Sequence, residues 1–250
     1  MGVILFRVVF ICLVSFSLLF SQSNKETVFD DFDNEFGAEK VDSSWDPLEA
    51  YNIPMTQFND FVYMHIMGPI VKGYRYVVSK PIREGVSNVF HNIQFPIRVA
   101  NNLLQFKFNN ALEETARFAI NSTYGLAGFI DIAKSEGGIE RHDEDFGQTL
   151  GFYGMSNDIH IVLPLFGPSN LRDTIGLVGD SFVDPIYHAQ RRDWNAFESN
   201  NFYLFVNTYK IGNEYSLHVD EYENIRKDSV DLYVLLKSVY EQRRNALIEE

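Results

Sequence analysis

The stretch Asp46-Pro47-Leu48-Glu49-Ala50-Tyr51-Asn52 marks where the chain passes from a polar, acidic leader into periodic structure. Asp46 belongs to the residue types that accept hydrogen bonds from the free N–H groups of a first helical turn. Proline suits the first helical position, and Glu49 completes a capping box three residues on. Downstream, Tyr51, Met55, Phe58, Phe61 or Val62, and Ile66 recur every three to four residues, the period of one helix face. The expectation is a helix opening at Pro47 whose apolar stripe is turned toward a core.

Further helical segments, punctuated by glycine and proline, follow at roughly 81–92, 96–106, 110–123, 126–134, 143–153 and 169–179. None approaches the roughly 20 apolar residues that a membrane-spanning helix needs. Ile159-His160-Ile161-Val162-Leu163 is a strand stopped by Pro164, or else an extended apolar loop. From about Asp193 to Glu249 the grain changes to longer helices, with Leu232, Leu235, Leu236 and Val239 on one face and Lys237, Arg243 and Arg244 toward the C-terminal end, where the helix dipole favours cations.

On the N-terminal side, residues 24–44 combine seven acids and two lysines with no sustained apolar period, the pattern of a flexible arm in which Phe29, Phe32 and Phe36 are the only helical hint. Residues 1–23 read as a signal peptide: Arg7 precedes the apolar run Val8 to Phe20, and Ser21-Gln22-Ser23 supplies small residues for cleavage. The single cysteine, Cys12, lies inside that run without the small residue that precedes a lipoprotein acceptor, so lipidation is not expected. A mature chain without cysteine has no disulfide or thiol chemistry.

The chain has 250 residues and a formal net charge of −13. Such a balance argues against nucleic acid, and against docking on anionic headgroups by charge alone. Contact with a membrane would have to come from apolar burial, for which 22 Phe and 13 Tyr provide rings.

The strongest catalytic candidate is His142-Asp143-Glu144-Asp145, but no metal-binding spacing accompanies it, and helix capping by Asp143 accounts for the acids. Gly167-Pro168-Ser169 lacks the second glycine of a nucleophile elbow, and Ser169 reads as an N-cap. No phosphate loop or dinucleotide fingerprint is present, and neither a metal nor a cofactor is expected. Glycines flanked by apolar residues, in Gly125-Leu126-Ala127-Gly128-Phe129-Ile130 and at Gly147, Gly151, Gly154 and Gly167, suit a closely packed wall. Such a wall lines a passage or belongs to an ordinary bundle.

Several of these strings resemble the motifs of the MlaA (VacJ) family, in family order: Asp46 to Asn52, Gly73-Tyr74-Arg75, Gly85 to Asn88, Val99 to Gln105, Arg117 to Thr123, Asp143 to Gly151, Leu163 to Ser169, and Leu171-Arg172-Asp173. A weaker echo runs from Asp231-Leu232-Tyr233 to Tyr240-Glu241-Gln242-Arg243-Arg244. The resemblance implies an all-α, ring-like arrangement of short amphipathic helices with longer C-terminal helices, lying in the periplasmic leaflet of the outer membrane beside a trimeric porin. It implies that stray outer-leaflet phospholipid passes through an amphipathic channel to a soluble periplasmic carrier, with no bond made or broken.

On that reading residues 45–190 form the ring domain, and residues 191–250 form a C-terminal helical segment of the same domain. Gly125, Leu126, Gly128 and Phe129, with Phe146, Gly147, Leu150, Gly151 and Tyr153, would line the lipid pathway. Asn121, Gln148 and Arg172 would meet the headgroup, and Phe58, Phe61, Leu163, Leu165 and Phe166 would embed in the leaflet. The alternatives are a structural partner of a porin that moves no lipid, and a lipid hydrolase working through His142. Family members commonly carry an anchor on an N-terminal cysteine, so this chain is expected to hold the membrane through its fold.

Overall fold

The computed structural model describes residues 46–157, 159–189 and 202–249. The signal segment and the acidic arm lie outside the described residues, as does the boundary expected near residue 190.

Helix α1 spans Glu49–Val62 and begins two residues later than Pro47. Asp46 does not form the expected capping box. Its Oδ1 accepts from the Leu48 N–H at 3.1 Å, while its carboxylate also takes Tyr233 O–H and Lys237 Nζ, the latter at 3.2 Å. A local capping signal has become a clasp to the C-terminal helix.

A π-helical turn, Tyr63–Met67, follows α1 directly. A π turn holds more residues than an α turn and shifts the phase of the face beyond it. Of the predicted stripe, Met55 and Val62 are buried, Tyr51 and Phe58 are half-buried, Phe61 is 54% exposed just before the π turn, and Ile66 is 50% exposed within it. The face that goes inside carries Asn52, Met55, Thr56, Asn59 and Val62.

Helices α2 (Gly68–Val77), α3 (Lys80–Ile93), α4 (Phe95–Leu104) and α5 (Phe108–Thr123) follow, the first three with proline in their first turns. Instead of a helix over 126–134, Leu126, Ala127 and Gly128 all take positive φ, and only α6, Ile132–Ser135, is helical. Consecutive left-handed residues end a helix, because their carbonyls no longer point along its axis.

Helix α7 (Phe146–Phe152) is capped by Asp145, which accepts from Gln148 N–H at 2.8 Å, not by Asp143. Strands β1 (His160–Leu163) and β2 (Gly167–Asn170) form an antiparallel hairpin, so the apolar run is a strand and Ser169 lies within its partner. Asn170, rather than Ser169, caps α8 (Leu171–Ser181), accepting from Asp173 N–H at 2.7 Å. Helices α9 (Pro185–Ala189), α10 (Phe202–Asp228) and α11 (Leu232–Glu249) complete the order.

Asn52 and Asn59, two turns apart on α1, stand in for a third strand. The Val162 N–H donates to Asn52 Oδ1 at 2.8 Å while Asn52 Nδ2 donates to the His160 carbonyl at 3.0 Å. Asn59 treats Leu165 N–H and the Leu163 carbonyl the same way, at 2.7 and 2.9 Å. A carboxamide offers one acceptor and one donor, like a peptide group, and so satisfies a strand edge. Asn52→Ala should therefore cost about 2–3 kcal/mol, since it strands a buried N–H and a buried C=O; urea unfolding followed by circular dichroism measures it.

The contacts between elements close on themselves. Through the π turn α1 reaches α2, which packs on α10; α10 packs on α3, α3 on α4, α4 on α7, α7 on α11, and α11 returns to α1. This circuit is the ring-like, all-helical arrangement, with one small hairpin set against α1. No helix of the described residues is long and apolar enough to cross a membrane.

Candidate functional site

Burial in this protein runs opposite to that of an ordinary water-soluble domain. On α4, Arg98, Asn101 and Asn102, together with Gln105 just beyond the helix end, recur at helical spacing and are buried. On α5 the buried positions are Ala111, Glu114, Arg117 and Asn121. Large apolar side chains point outward instead: Leu103, Leu104, Phe106, Phe108 and Leu112 from this hairpin, with Tyr124 and Leu126 beyond it. Among the described residues, buried polar side chains outnumber buried apolar ones. Exposed apolar surface on this scale marks contact with lipid or protein.

The buried polar groups are wired together, as low-dielectric burial demands. Glu114 takes Arg98 Nε at 2.6 Å and the His142 N–H at 2.9 Å, and Arg117 holds Asp131 at 2.8 Å. Gln105 and Lys107 grip Glu144, and Thr149 O–H donates to Asn101. Arg244 reaches from α11 to Asp145 at 2.7 Å and to Asp173 at 2.8 Å, closing the ring. The two acids hold its guanidinium in the charged form against burial.

Beside this polar network lies an open cavity of about 520 Å³ whose lining includes His91 and Gln94, Arg98, Gln148, Asp180, Tyr240 and Arg243. Helices α3, α4, α7, α8 and α11 all contribute to it. His91 Nε2 lies 2.7 Å from Asp143 Oδ1. Burial opposes ionisation of Asp143, yet the His91 hydrogen bond and the charges of His91, Arg98 and Arg141 outweigh it and bring the carboxyl down to about 2. Burial also lowers His91, against the pull of Asp143.

Asp180 behaves differently: burial, helped by the charge of Asp145, pushes it up to about 6, although Asn101 Nδ2 and the Phe146 N–H donate to it. A folded-state value above the unfolded 3.8 means that Asp180 favours folding below about pH 4, and that this contribution is lost as pH rises through 6, to a total of about 3 kcal/mol. His160, lowered to about 4 by burial and Lys237, has the opposite sign: its contribution is present above about pH 6.5 and is lost as pH falls toward 4. The two offset each other in the natural chain. Asp180→Asn keeps an acceptor and removes one of the pair, so its thermal midpoint should climb more steeply between about pH 4.5 and 7 than that of the natural protein.

The residues expected to line a lipid pathway fall in two places. Gln148 and Arg172 are buried near the cavity, Gln148 in its wall and Arg172 paired with Asp173 at 3.0 Å. Phe146 lies on α7 behind it, packed where a side chain on Gly179 would stand. Leu150 and Gly151 are half-buried, the latter against Ile248 of α11, and Tyr153 is exposed with its O–H on the Leu104 carbonyl.

The second group sits at the end of α5. Asn121 is buried and donates to Asp131, accepting in turn from the Ala133 N–H. Gly125 and Gly128 leave no room for a side chain: a Cβ would lie 2.2 Å from the Ile130 carbonyl oxygen and 2.5 Å from Asn92 Cβ, respectively. Phe129 fills the space that Gly85 leaves on α3, and Leu126 is exposed. Gly147 is buried where α7 meets α8.

Of the residues expected to embed in the leaflet, Phe61, Leu165 and Phe166 are exposed, and Phe58 and Leu163 are half-buried. His142 contacts Glu113 at 2.7 Å on the far side of the Glu114 cluster. The periodicity did not mark Arg98, Glu114, Arg243 and Arg244 as a site; the polar repeat Arg98, Asn101, Asn102, Gln105 was the available signal.

Comparison with known proteins agrees with this architecture. The family described as MlaA lipoprotein matches residues 44–247. The intermembrane phospholipid transport system lipoprotein MlaA of Escherichia coli is 28% identical over 204 residues, covering 80% of this chain and 77% of that protein. Its Haemophilus influenzae namesake is 32% identical over 164 residues, covering 64% of this chain and 66% of its own length. A chain solved in work on the structural basis for maintenance of bacterial outer membrane lipid asymmetry superposes with a TM-score of 0.67 at 27% identity, covering 82% of this chain and 99% of that one. With the family match spanning the whole helical circuit, this chain belongs to the MlaA lipoprotein family.

Proposed function

We propose that the protein moves phospholipid at the outer membrane without chemical change, taking lipid that has strayed into the outer leaflet through the ring to a soluble periplasmic carrier and so maintaining lipid asymmetry. The single observation that carries this reading is the inverted packing: apolar side chains outside, a wired polar interior and an open cavity lined by that polar network. Its relatives in E. coli and H. influenzae, named for intermembrane phospholipid transport, support it.

Phe61, Leu165, Phe166 and the exposed apolar side chains of α4 and α5 sit in acyl chains, stabilised by roughly 25 cal/mol for each Å² of apolar area removed from water. Attachment then needs no acyl anchor, and a trimeric porin covers part of the same rim. Gly125, Leu126, Gly128 and Phe129 form a wall of the pathway at the end of α5. Phe146, Gly147, Gln148, Leu150, Gly151, Tyr153 and Arg172 form its other wall at the meeting of α7 and α8.

A clean deletion should let phospholipid accumulate in the outer leaflet and make the cells detergent-sensitive, both reversed by the intact gene. Unchanged leaflet composition in the deletion strain would overturn the reading.

A further inference from the structure

Three side chains in the cavity wall have bonding capacity that the protein does not use. Arg243 has no acceptor among the described residues, whereas Arg98, Arg117, Arg172 and Arg244, like every other described arginine, have one. Gln148 is 3% exposed; its amide nitrogen is engaged, Nε2 donating to the Asp143 carbonyl at 2.9 Å, but its Oε1 is buried with no donor among the described residues. Among the described residues Asp180 has neutral donors only, Asn101 and the Phe146 N–H, and no cation within ion-pairing distance.

A ligand that completes this wall has an anionic group for Arg243 and a cationic N–H donor for Gln148 and Asp180. Charge points the same way: the lining carries Asp143, Glu144, Asp145 and Asp180 against Arg98, Arg243 and Arg244. A headgroup with net negative charge would add to that surplus of acid, while one bearing its own ammonium offsets it. The volume, about 520 Å³, falls within the roughly 300–1,000 Å³ of small-molecule sites.

We propose that this cavity is a headgroup site selective for zwitterionic, amine-bearing phospholipid, with Arg243 taking the phosphodiester and Gln148 and Asp180 taking the ammonium. The inference rests on the transport reading above. Arg243 supplies retention, because a guanidinium pairs two phosphate oxygens at once. Gln148 and Asp180 supply selectivity, because a choline headgroup has no N–H to give them.

The test uses the full-length protein incubated with vesicles of equal parts phosphatidylethanolamine, phosphatidylcholine and phosphatidylglycerol, repurified, with bound lipid read by mass spectrometry. Phosphatidylethanolamine should be enriched several-fold in the natural protein. Arg243→Ala should lower total bound lipid roughly tenfold, with no change in thermal midpoint because the side chain is exposed and unpaired. Gln148→Met, which retains volume but not the acceptor, should keep lipid and lose the enrichment. Bound lipid without headgroup preference, or full retention in Arg243→Ala, overturns the headgroup site and leaves transport standing. A natural protein that binds no lipid overturns both.

Discussion

Glu114→Ala should destabilise the protein by about 3–5 kcal/mol, the range found when one partner of a buried ion pair is removed, which is a large part of the roughly 5–15 kcal/mol that holds a typical domain together. Glu114 is fully buried on α5 and is the acceptor on which its own helix and two other segments converge. Arg98 comes from α4, Arg117 from one turn further along α5 with its Nε at 3.6 Å, and the His142 N–H from the segment leading to α7. Alanine leaves two buried guanidinium groups facing a void. Arg98 would retain the His91 carbonyl and Arg117 would retain Asp131, which is why the loss is not larger. Glu114→Gln keeps the volume and an acceptor but not the charge, and should fall between. Urea unfolding of the full-length protein measures the series; a loss below about 1 kcal/mol in Glu114→Ala would be a surface-pair value and would show that the cluster is not structural.

The second large effect concerns a place where two backbones touch. A Cβ on Gly176 of α8 would lie 2.5 Å from Gly147 N and 2.7 Å from Gly147 Cα of α7, so no side-chain rotation can relieve it. Helix propensity alone would make Gly176→Ala stabilising by up to about 1 kcal/mol. The clash should reverse that sign and cost about 3 kcal/mol or more, since overpacking between backbones is relieved only by moving the elements apart. Separation of α7 from α8 would also pull Asp145 and Asp173 away from Arg244 and open the ring at α11. Gly73 is the control. It lies within α2 with nothing within 4 Å of its Cβ position, and Gly73→Ala should raise the thermal midpoint. If both alanine variants shift the midpoint upward, α7 and α8 do not approach as closely as described.

Much of the fold was legible along the chain. Segments expected at 81–92, 96–106, 110–123 and 169–179 appear as helices at Lys80–Ile93, Phe95–Leu104, Phe108–Thr123 and Leu171–Ser181, because proline starts, glycine stops and a 3.6-residue period are local properties. The motif series placed the family before any contact was known. The capping assignments show where local reading ran out. Asp46, Asp143 and Ser169 all have the chemistry of an N-cap, but Asp46 was drawn to Tyr233 and Lys237, Asp143 to His91, and Ser169 into a strand. In each case a partner distant in sequence outcompeted the free N–H groups of a helix end.

The site was legible only in part. Gln148 could be picked out as a polar group in a glycine-rich wall, yet Asn121 and Arg172 are just as polar and are held by Asp131 and Asp173. Arg243 and Arg244 are neighbours of the same type; one closes the ring, and the other is left without an acceptor among the described residues. Nothing in residue type or spacing separates them, since the difference depends on which acids the fold brings within reach.

By itself the sequence determined roughly where most of the helices lie, which residue types share a face, and that the chain resembles one family from Asp46 to Asp173, with a weaker echo toward Arg244. Only the tertiary structure decided which face of each helix turned inward. A stripe such as Arg98, Asn101, Asn102, Gln105 has the same periodicity whether it meets water or other helices, and so does the apolar stripe opposite it. The choice is made by partners: where Glu114, Thr149 and Glu144 arrive to satisfy those polar groups, they can be buried, and the rings of α4 and α5 are left for an apolar surrounding.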